Sequence, residues 1–393
     1  MAGAELDHAR LTEALTLAEG AIGLSDPNPR VGCVIGDATG DVFGRGHTQQ
    51  AGGPHAEVMA LQDAAAAGRS VAGATAWVTL EPCAHHGRTP PCCDALVAAG
   101  LRRVVVAVAD PYPQVAGEGI NRLRAAGIQV DFAPPDIAEQ AWALNIGFFS
   151  RMLRGRPWVR VKVASSLDGR TALDNGASQW ITSPEARADG HAWRRRAGAV
   201  LTGIGTVLAD DPRLDVRRVP TARQPVRVVV DSALRTPPTA RLLDVPGTVW
   251  IATVDGSVPQ AAALRARGAE MLALPGPGGQ VDVRALLALL AERGVNELHV
   301  EAGQGLTGAL LRAGLTDEVL AYVAPRLLGS GRGWVAWPGL QTVDEGLQLR
   351  LQDVQRIGPD LRLRLTPAQA QPFLTPPVAI PASEAFTPGA TSM

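Results

Sequence analysis

Short blocks of two kinds alternate along the chain. Leu11, Ala14, Leu15 and Ala18 recur at helical spacing and predict an amphipathic N-terminal helix. Compact apolar runs at residues 31–35, 76–80, 104–108 and 129–132 predict strands, with helical stretches at 55–67 and 92–99 between them. Gly155-Arg156-Pro157 breaks the series. A second set of strands follows at 159–164, 199–202, 226–230, 248–252, 297–300 and 318–323, with helices at 184–196, 281–293 and 306–313. Strands alternating with helices in both halves predict two layered α/β domains, at residues 1–152 and 157–365. From residue 366 the chain is rich in Pro, Ala, Thr and Ser without periodicity, and is expected to be a disordered tail, 366–393.

A length of 393 residues fits this division, because single cores stop growing well short of it. Thirty-seven bases against 38 acids leave a formal charge of −1, without the basic excess by which a nucleic-acid binder neutralises phosphates. No apolar run reaches the roughly 18 residues of a membrane span. Glu5, Asp7, Arg10 and Glu13 stand where a signal peptide needs apolar residues. Cys33, Cys83, Cys92 and Cys93 are too few for a disulfide scaffold, so the cytoplasm is the expected location. Lys162 is the sole lysine, every other base being arginine. A compact ammonium differs from a guanidinium in shape and in its ability to give up a proton, which makes Lys162 a candidate for function.

His55-Ala-Glu57 opens a predicted helix, and Pro82-Cys83 and Cys92 follow after the next strand. A lone His-Ala-Glu triplet is common, and two cysteines are often only small buried hydrophobes. In this order they match the zinc-deaminase signature, in which one imidazole and two thiolates hold zinc and leave a fourth position for water. The adjacent carboxylate, here Glu57, moves protons from the attacking water to the ring nitrogen and the departing amine. Cys83, after Pro82, is expected at a helix start that favours its thiolate. Eight residues separate Cys83 from Cys92, so His85, His86 and Cys93 compete as ligands; Cys92 is preferred because it comes first after Pro91. A closed four-ligand site would indicate a zinc-stabilised binding module instead. A nucleoside or tRNA deaminase with an accessory domain is a further rival, against which the neutral charge and the long insert speak.

Residues 27–35 (PNPRVGCVI), 44–61 (GRGHTQQAGGPHAEVMAL) and 79–96 (TLEPCAHHGRTPPCCDAL) resemble the bifunctional riboflavin-biosynthesis deaminase/reductase family. So do 162–172 (KVASSLDGRTA), 203–217 (GIGTVLADDPRLDVR) and 300–311 (VEAGQGLTGALL). The resemblance implies a cytidine-deaminase-like first domain with His55, Cys83 and Cys92 on zinc, Glu57 as proton shuttle and Asn28 touching the substrate. It implies a dihydrofolate-reductase-like second domain that uses NADPH, bound by Ala164, Trp180, Thr206, Asp210, Ser232 and the turn Gly303, Gln304, Gly305, Leu306, Thr307, Gly308, Ala309. By the same resemblance Ser178, Arg194, Leu214, Arg217 and Glu301 contact the ribose-phosphate substrate. Without it, Gly303-x-Gly305 reads only as a tight strand-to-helix turn, lacking the third glycine of a dinucleotide fingerprint. Arg194 and Arg217 offer forked donors to a phosphate, and Lys162 and Glu301 are candidates for proton delivery during sugar reduction. Asp110-Pro-Tyr112-Pro departs from the family's Asp-Pro-Asn-Pro. The expected partners are small phosphoribosylaminopyrimidines and a second copy of the chain, a homo-oligomer.

Overall fold

The computed structural model describes residues 3–85, 90–112 and 116–376. The first half is built on five strands, β1 (Gly32–Gly36), β2 (Val42–His47), β3 (Thr75–Val78), β4 (Arg103–Val106) and β5 (Gln129–Phe132), in the order β2-β1-β3-β4-β5. β1 runs antiparallel to β2 and β3, and β3, β4 and β5 are parallel. Helices α1 (Gly3–Glu19), α2 (Ala56–Ala66), α3 (Cys92–Ala98), α4 (Glu118–Ala125), α5 (Pro135–Leu144) and α6 (Ile146–Arg154) accompany them. Leu11, Ala14 and Ala18 of α1 are fully buried against this sheet, as their spacing predicts.

β2 was not expected, and its glycines explain why. A Cβ at Gly44 would lie 2.0 Å from the Ala60 carbonyl oxygen, and one at Gly46 would lie 2.3 Å from that of Ala56. The strand abuts the backbone of α2, so glycine is needed where strand propensity would ask for a branched residue.

The second half carries β6 (Trp158–Ser166), β7 (Arg170–Ala172), β8 (Ala199–Gly203), β9 (Val226–Val230), β10 (Val249–Thr253), β11 (Ala269–Ala273), β12 (Glu297–Val300), β13 (Glu318–Ala324), β14 (Arg332–Gly333), β15 (Leu349–Ile357) and β16 (Asp360–Pro367). Nine of these form one sheet in the order β11-β10-β9-β8-β12-β6-β13-β16-β15, in which only β16 runs against the others; β7 and β14 make a separate ribbon. Its helices are α7 (Pro184–Arg196), α8 (Ile204–Asp210), α9 (Gln260–Ala266), α10 (Val283–Glu292) and α11 (Gln304–Arg312). Ser183 accepts from the Ala186 amide and Pro184 fills the first turn, so α7 starts where those residue types dictate. β12 and β6 are central parallel strands, and their carboxyl ends, with that of β8, open on one side of the sheet.

The tail expected from residue 366 does not begin there. β16 runs to Pro367, and Ala368–Leu374 forms a 3₁₀ segment whose Phe373 carbonyl accepts from the Trp142 indole at 2.8 Å. Phe373 also stacks on Trp158, ring centroids 6.0 Å apart, and carries the Arg154 guanidinium 4.2 Å above its ring. Aromatic burial overrides the polar composition here. The rest of that expected tail, from residue 377, lies outside the described residues.

Candidate functional sites

The antiparallel pairing of β1 with β3 places the N-terminal end of β1 beside the loop after β3. The Thr79 amide donates to the Gly32 carbonyl at 3.1 Å, and His47 pairs with Gly32 from the other side. The N-terminus of α2, which begins just after His55, packs over β2. At this end His55 Nδ1 lies 3.1 Å from Cys92 Sγ and 3.6 Å from Cys83 Sγ, and all three donor atoms fall within 4.8 Å of one another. Tetrahedral zinc bonds of ordinary length separate nitrogen from sulfur by roughly 3.6 Å. The donor set and its spacing therefore fit a zinc ion. Among the described residues no fourth His, Cys, Asp or Glu joins the group. Cys93 points into the hydrophobic core and His85 is exposed, so among the described residues the set keeps an open position; the rival ligand His86 lies outside them.

Cys83 is not at a helix start. It lies in an irregular segment after β3, and the next helix opens only at Cys92. Its thiolate is favoured by neighbours instead: the Cys92 thiol, and then His55, bring it down to about 4, while the same contact pushes Cys92 up. A dication between the two sulfurs favours thiolate at both. Glu57, 3% exposed, sits one residue inside α2. Burial, and then the negative Cys83, push its carboxyl up to about 7. Fully buried Cys33 on β1 has its thiol pushed up by burial and then by the charge of Glu57.

One residue in the TLEPC segment escaped sequence reasoning. The Glu81 carboxylate accepts from the amides of Asp110, Gly117, Gly119 and Ile120 at 2.9–3.3 Å, tying the loop after β4 and the start of α4 to the Cys83 segment. Tyr112, at the departure from the family pattern, donates its amide to Asp110 Oδ1 at 3.0 Å.

The second site is a cavity of about 1170 Å³ at the carboxyl ends of β6, β12, β8 and β9. That exceeds the roughly 300–1,000 Å³ of a typical small-ligand pocket and leaves room for two ligands. Lys162, Ala164, Ser178, Trp180, Arg194, Thr206, Asp210, Leu214, Arg217, Ser232 and Glu301 line it, along with Gly303, Gln304, Gly305, Leu306 and Ala309. Thr307 and Gly308 do not. Thr307 is buried, with its hydroxyl on the Ala302 carbonyl, and a Cβ at Gly308 would lie 2.2 Å from the Ala336 oxygen. These two belong to the packing face of α11. No side chain caps that helix at Gly303, and a Cβ at Gly305 would meet nothing within 4 Å, so its first amides open to the cavity and fit a pyrophosphate.

Glu301 and Arg194 face each other across this cavity in a two-point ion pair, and His299 Nε2 lies 3.4 Å from Glu301. Burial alone would raise the Glu301 carboxyl, but Arg194 and then Lys162 hold it well below its ordinary range. Lys162 is pulled down by burial, with Glu301 opposing and Arg194 assisting. Arg194 Nη1 donates to the Asp215 carbonyl at 2.8 Å, and Arg217 pairs with the Asp215 carboxylate. Part of each guanidinium is thus engaged within the protein, and each keeps further N–H donors. Arg213, Arg235 and Arg241 also line the cavity and were not anticipated, since nothing in the sequence distinguishes them from the other arginines.

The family model described as the RibD C-terminal domain matches residues 157–363, half of the chain. The chain belongs to the RibD family. The model for the cytidine and deoxycytidylate deaminase zinc-binding region matches residues 4–108. The riboflavin biosynthesis protein RibD of Escherichia coli K12 is 45% identical over 92% of this chain and 100% of its own length. That of Aquifex aeolicus is 40% identical over 91% and 97%. Among solved structures, RibD of Acinetobacter baumannii superposes with a TM-score of 0.83 at 42% identity, covering 93% of this chain and 99% of its own. A Thermotoga maritima deaminase/reductase does so with 0.81 at 30% identity, covering 93% and 99%. As in other RibD proteins, a zinc-binding deaminase domain and an NADPH-type reductase domain share one chain, which serves riboflavin biosynthesis. The expected pair of α/β folds is borne out.

Proposed function

We propose that residues 1–152 hydrolyse 2,5-diamino-6-(5-phosphoribosylamino)pyrimidin-4(3H)-one to the corresponding uracil and ammonia, and that residues 157–365 then reduce its ribosyl group to ribityl with NADPH. The observation that carries the first step is the convergence of His55, Cys83 and Cys92 beside buried Glu57. Zinc held by these three supplies the Lewis acidity that makes water nucleophilic at neutral pH. Glu57 takes the proton from that water as it adds to the ring carbon bearing the amine. It passes protons to the ring nitrogen and to the leaving amine, a task matched to a carboxyl poised near neutrality. Asn28, four residues before β1 at the same end of the sheet, is assigned a substrate contact.

In the second step, NADPH bound at this cavity would supply the hydride that reduces C1 of the open-chain sugar imine. Lys162 delivers the proton that the nitrogen then needs, and Glu301 holds the sugar and the lysine. Ala164, Trp180, Thr206, Asp210, Ser232 and the open part of the Gly303–Ala309 turn are assigned to the cofactor. Ser178, Arg194, Leu214 and Arg217 are assigned to the substrate.

The polypeptide is further assigned to the cytoplasm as a homo-oligomer. All four cysteines are free, and no described helix is long and apolar enough to cross a membrane. Edge strand β15 leaves Leu351 52% and Val354 50% exposed, next to Leu361 of β16, a surface that a second copy would cover. Purified protein given the diaminopyrimidine phosphate should release ammonia and then oxidise NADPH, and zinc chelation should stop both. Full NADPH oxidation from the same substrate after chelation would refute the order of steps.

A further inference from the structure

The segment that leads into β1 contains Asn28, yet much of what holds it comes from the other half of the chain. Asn296, just before β12, donates through Nδ2 to Asp26 Oδ1 at 2.9 Å and to the Pro27 carbonyl at 3.1 Å. Arg223, on an exposed stretch before β9, donates through Nη1 to the Asp26 carbonyl at 2.8 Å. Two residues past Asn28, the Arg30 guanidinium donates to Glu297 Oε1 at 2.6 Å, and Glu297 also holds Arg160 and Arg196. The backbones come equally close: a Cβ at Gly294, whose φ is +83°, would lie 3.0 Å from Pro27 Cβ, and one at Gly23 would lie 2.9 Å from the Arg195 carbonyl oxygen. Within the loop only the Asn28 amide to the Ser25 carbonyl and the Ser25 hydroxyl to the Asn28 carbonyl close it on itself.

We propose that Asn296 and Arg223, both in the reductase half, are positioning residues for deamination, fixing the backbone just before Asn28 at the mouth of the zinc site. The proposal rests on the assignment of Asn28 to the deaminase substrate. An irregular loop pays conformational entropy for every backbone it orders; among the described residues the Asp26 carbonyl has no partner in its own domain, and that of Pro27 has only Arg151 Nη2 of α6, at 3.1 Å. Partners from β12 and from the 223 stretch supply those bonds before substrate arrives. Losing them leaves the zinc site and Glu57 in place while the substrate meets an unfixed contact. Binding then weakens equally in the ground state and the transition state, which raises KM and spares kcat.

The test uses full-length enzyme with steady-state assays of ammonia release and, separately, of NADPH oxidation on the uracil intermediate. Asn296→Ala and Arg223→Ala should each raise the deaminase KM about two- to tenfold, the cost of one or two hydrogen bonds, with kcat within about twofold. Reductase KM and kcat should stay within about twofold, and Arg223→Lys should restore the deaminase KM in part, since an ammonium can still donate to the Asp26 carbonyl. Arg223 is exposed, so that variant decides the matter even where Asn296→Ala is unstable. An unchanged deaminase KM in Arg223→Ala, or parallel losses in both activities, would overturn the proposal. Asn28→Ala is run alongside: an unchanged KM there refutes the substrate contact itself, a separate failure from that of the brace.

Discussion

Arg194 Nη2 meets Glu301 Oε2 at 2.9 Å, with its Nε on the other carboxylate oxygen, so two residues expected to touch substrate independently hold each other. This fork holds the Glu301 carboxylate near Lys162. Arg194→Lys keeps the charge and loses the two-point geometry. It should lower reductase kcat by about tenfold or more while deamination is unchanged, and steady-state NADPH oxidation measures this.

Lys162→Met removes the assigned proton donor, and general acid catalysis contributes about 10²–10⁴-fold. Reductase kcat should fall within that range, and Lys162→Arg should not rescue it, since a guanidinium does not release a proton at working pH. Near-normal turnover of the Met variant would remove Lys162 from the mechanism.

Glu57→Gln should lower deamination by about 10²-fold or more, with zinc content and NADPH oxidation on the uracil intermediate retained. Simultaneous loss of both activities would argue that the sites are not independent.

Cys92 and Cys93 are neighbours with opposite fates. Cys92→Ser should abolish stoichiometric zinc, read by elemental analysis. Cys93→Ser should keep zinc but lower Tm, because the hydroxyl enters an apolar core without a partner. The reverse outcome would exchange their roles.

His191 of α7 accepts the Arg217 amide at its Nδ1, and burial, then Arg194 and Arg217, bring it down to about 3. Its folded value lies below the ordinary value of 6.5, so below pH 6.5 the unfolded chain binds a proton that the folded one refuses. Stability therefore falls as pH drops from 6.5 towards 3, with a slope of up to about 1.4 kcal/mol per pH unit. Denaturant unfolding at pH 7, 6 and 5 should show a steeper loss in the wild type than in His191→Gln. Parallel curves would contradict it.

Much of both cores was legible. The helix at 184–196 and the strands at 226–230 and 297–300 match the structure residue for residue, because capping residues and apolar runs act locally. β15 and β16 were missed. Their alternating arginines and leucines lie half in solvent at the sheet edge, where burial gives little contrast to read.

The zinc set and Glu57 were readable because metal chemistry restricts residue type and spacing so tightly that few other purposes produce His-x-Glu with a distant Pro-Cys. Choosing Cys92 over Cys93 rested on its coming first after Pro91; both are buried, and what separates them in the structure is that the Cys92 sulfur lies with His55 and Cys83 while Cys93 packs in the apolar core. Other matters belonged to tertiary structure alone: that Arg194 serves Glu301, that Glu81 gathers four amides, that Phe373 docks on Trp158, and that Asn296 holds the loop before Asn28. Each joins residues far apart in sequence through contacts that common residue types make in many settings. Arginine, glutamate and asparagine appear on every surface, and only the folded chain decides which of them meet.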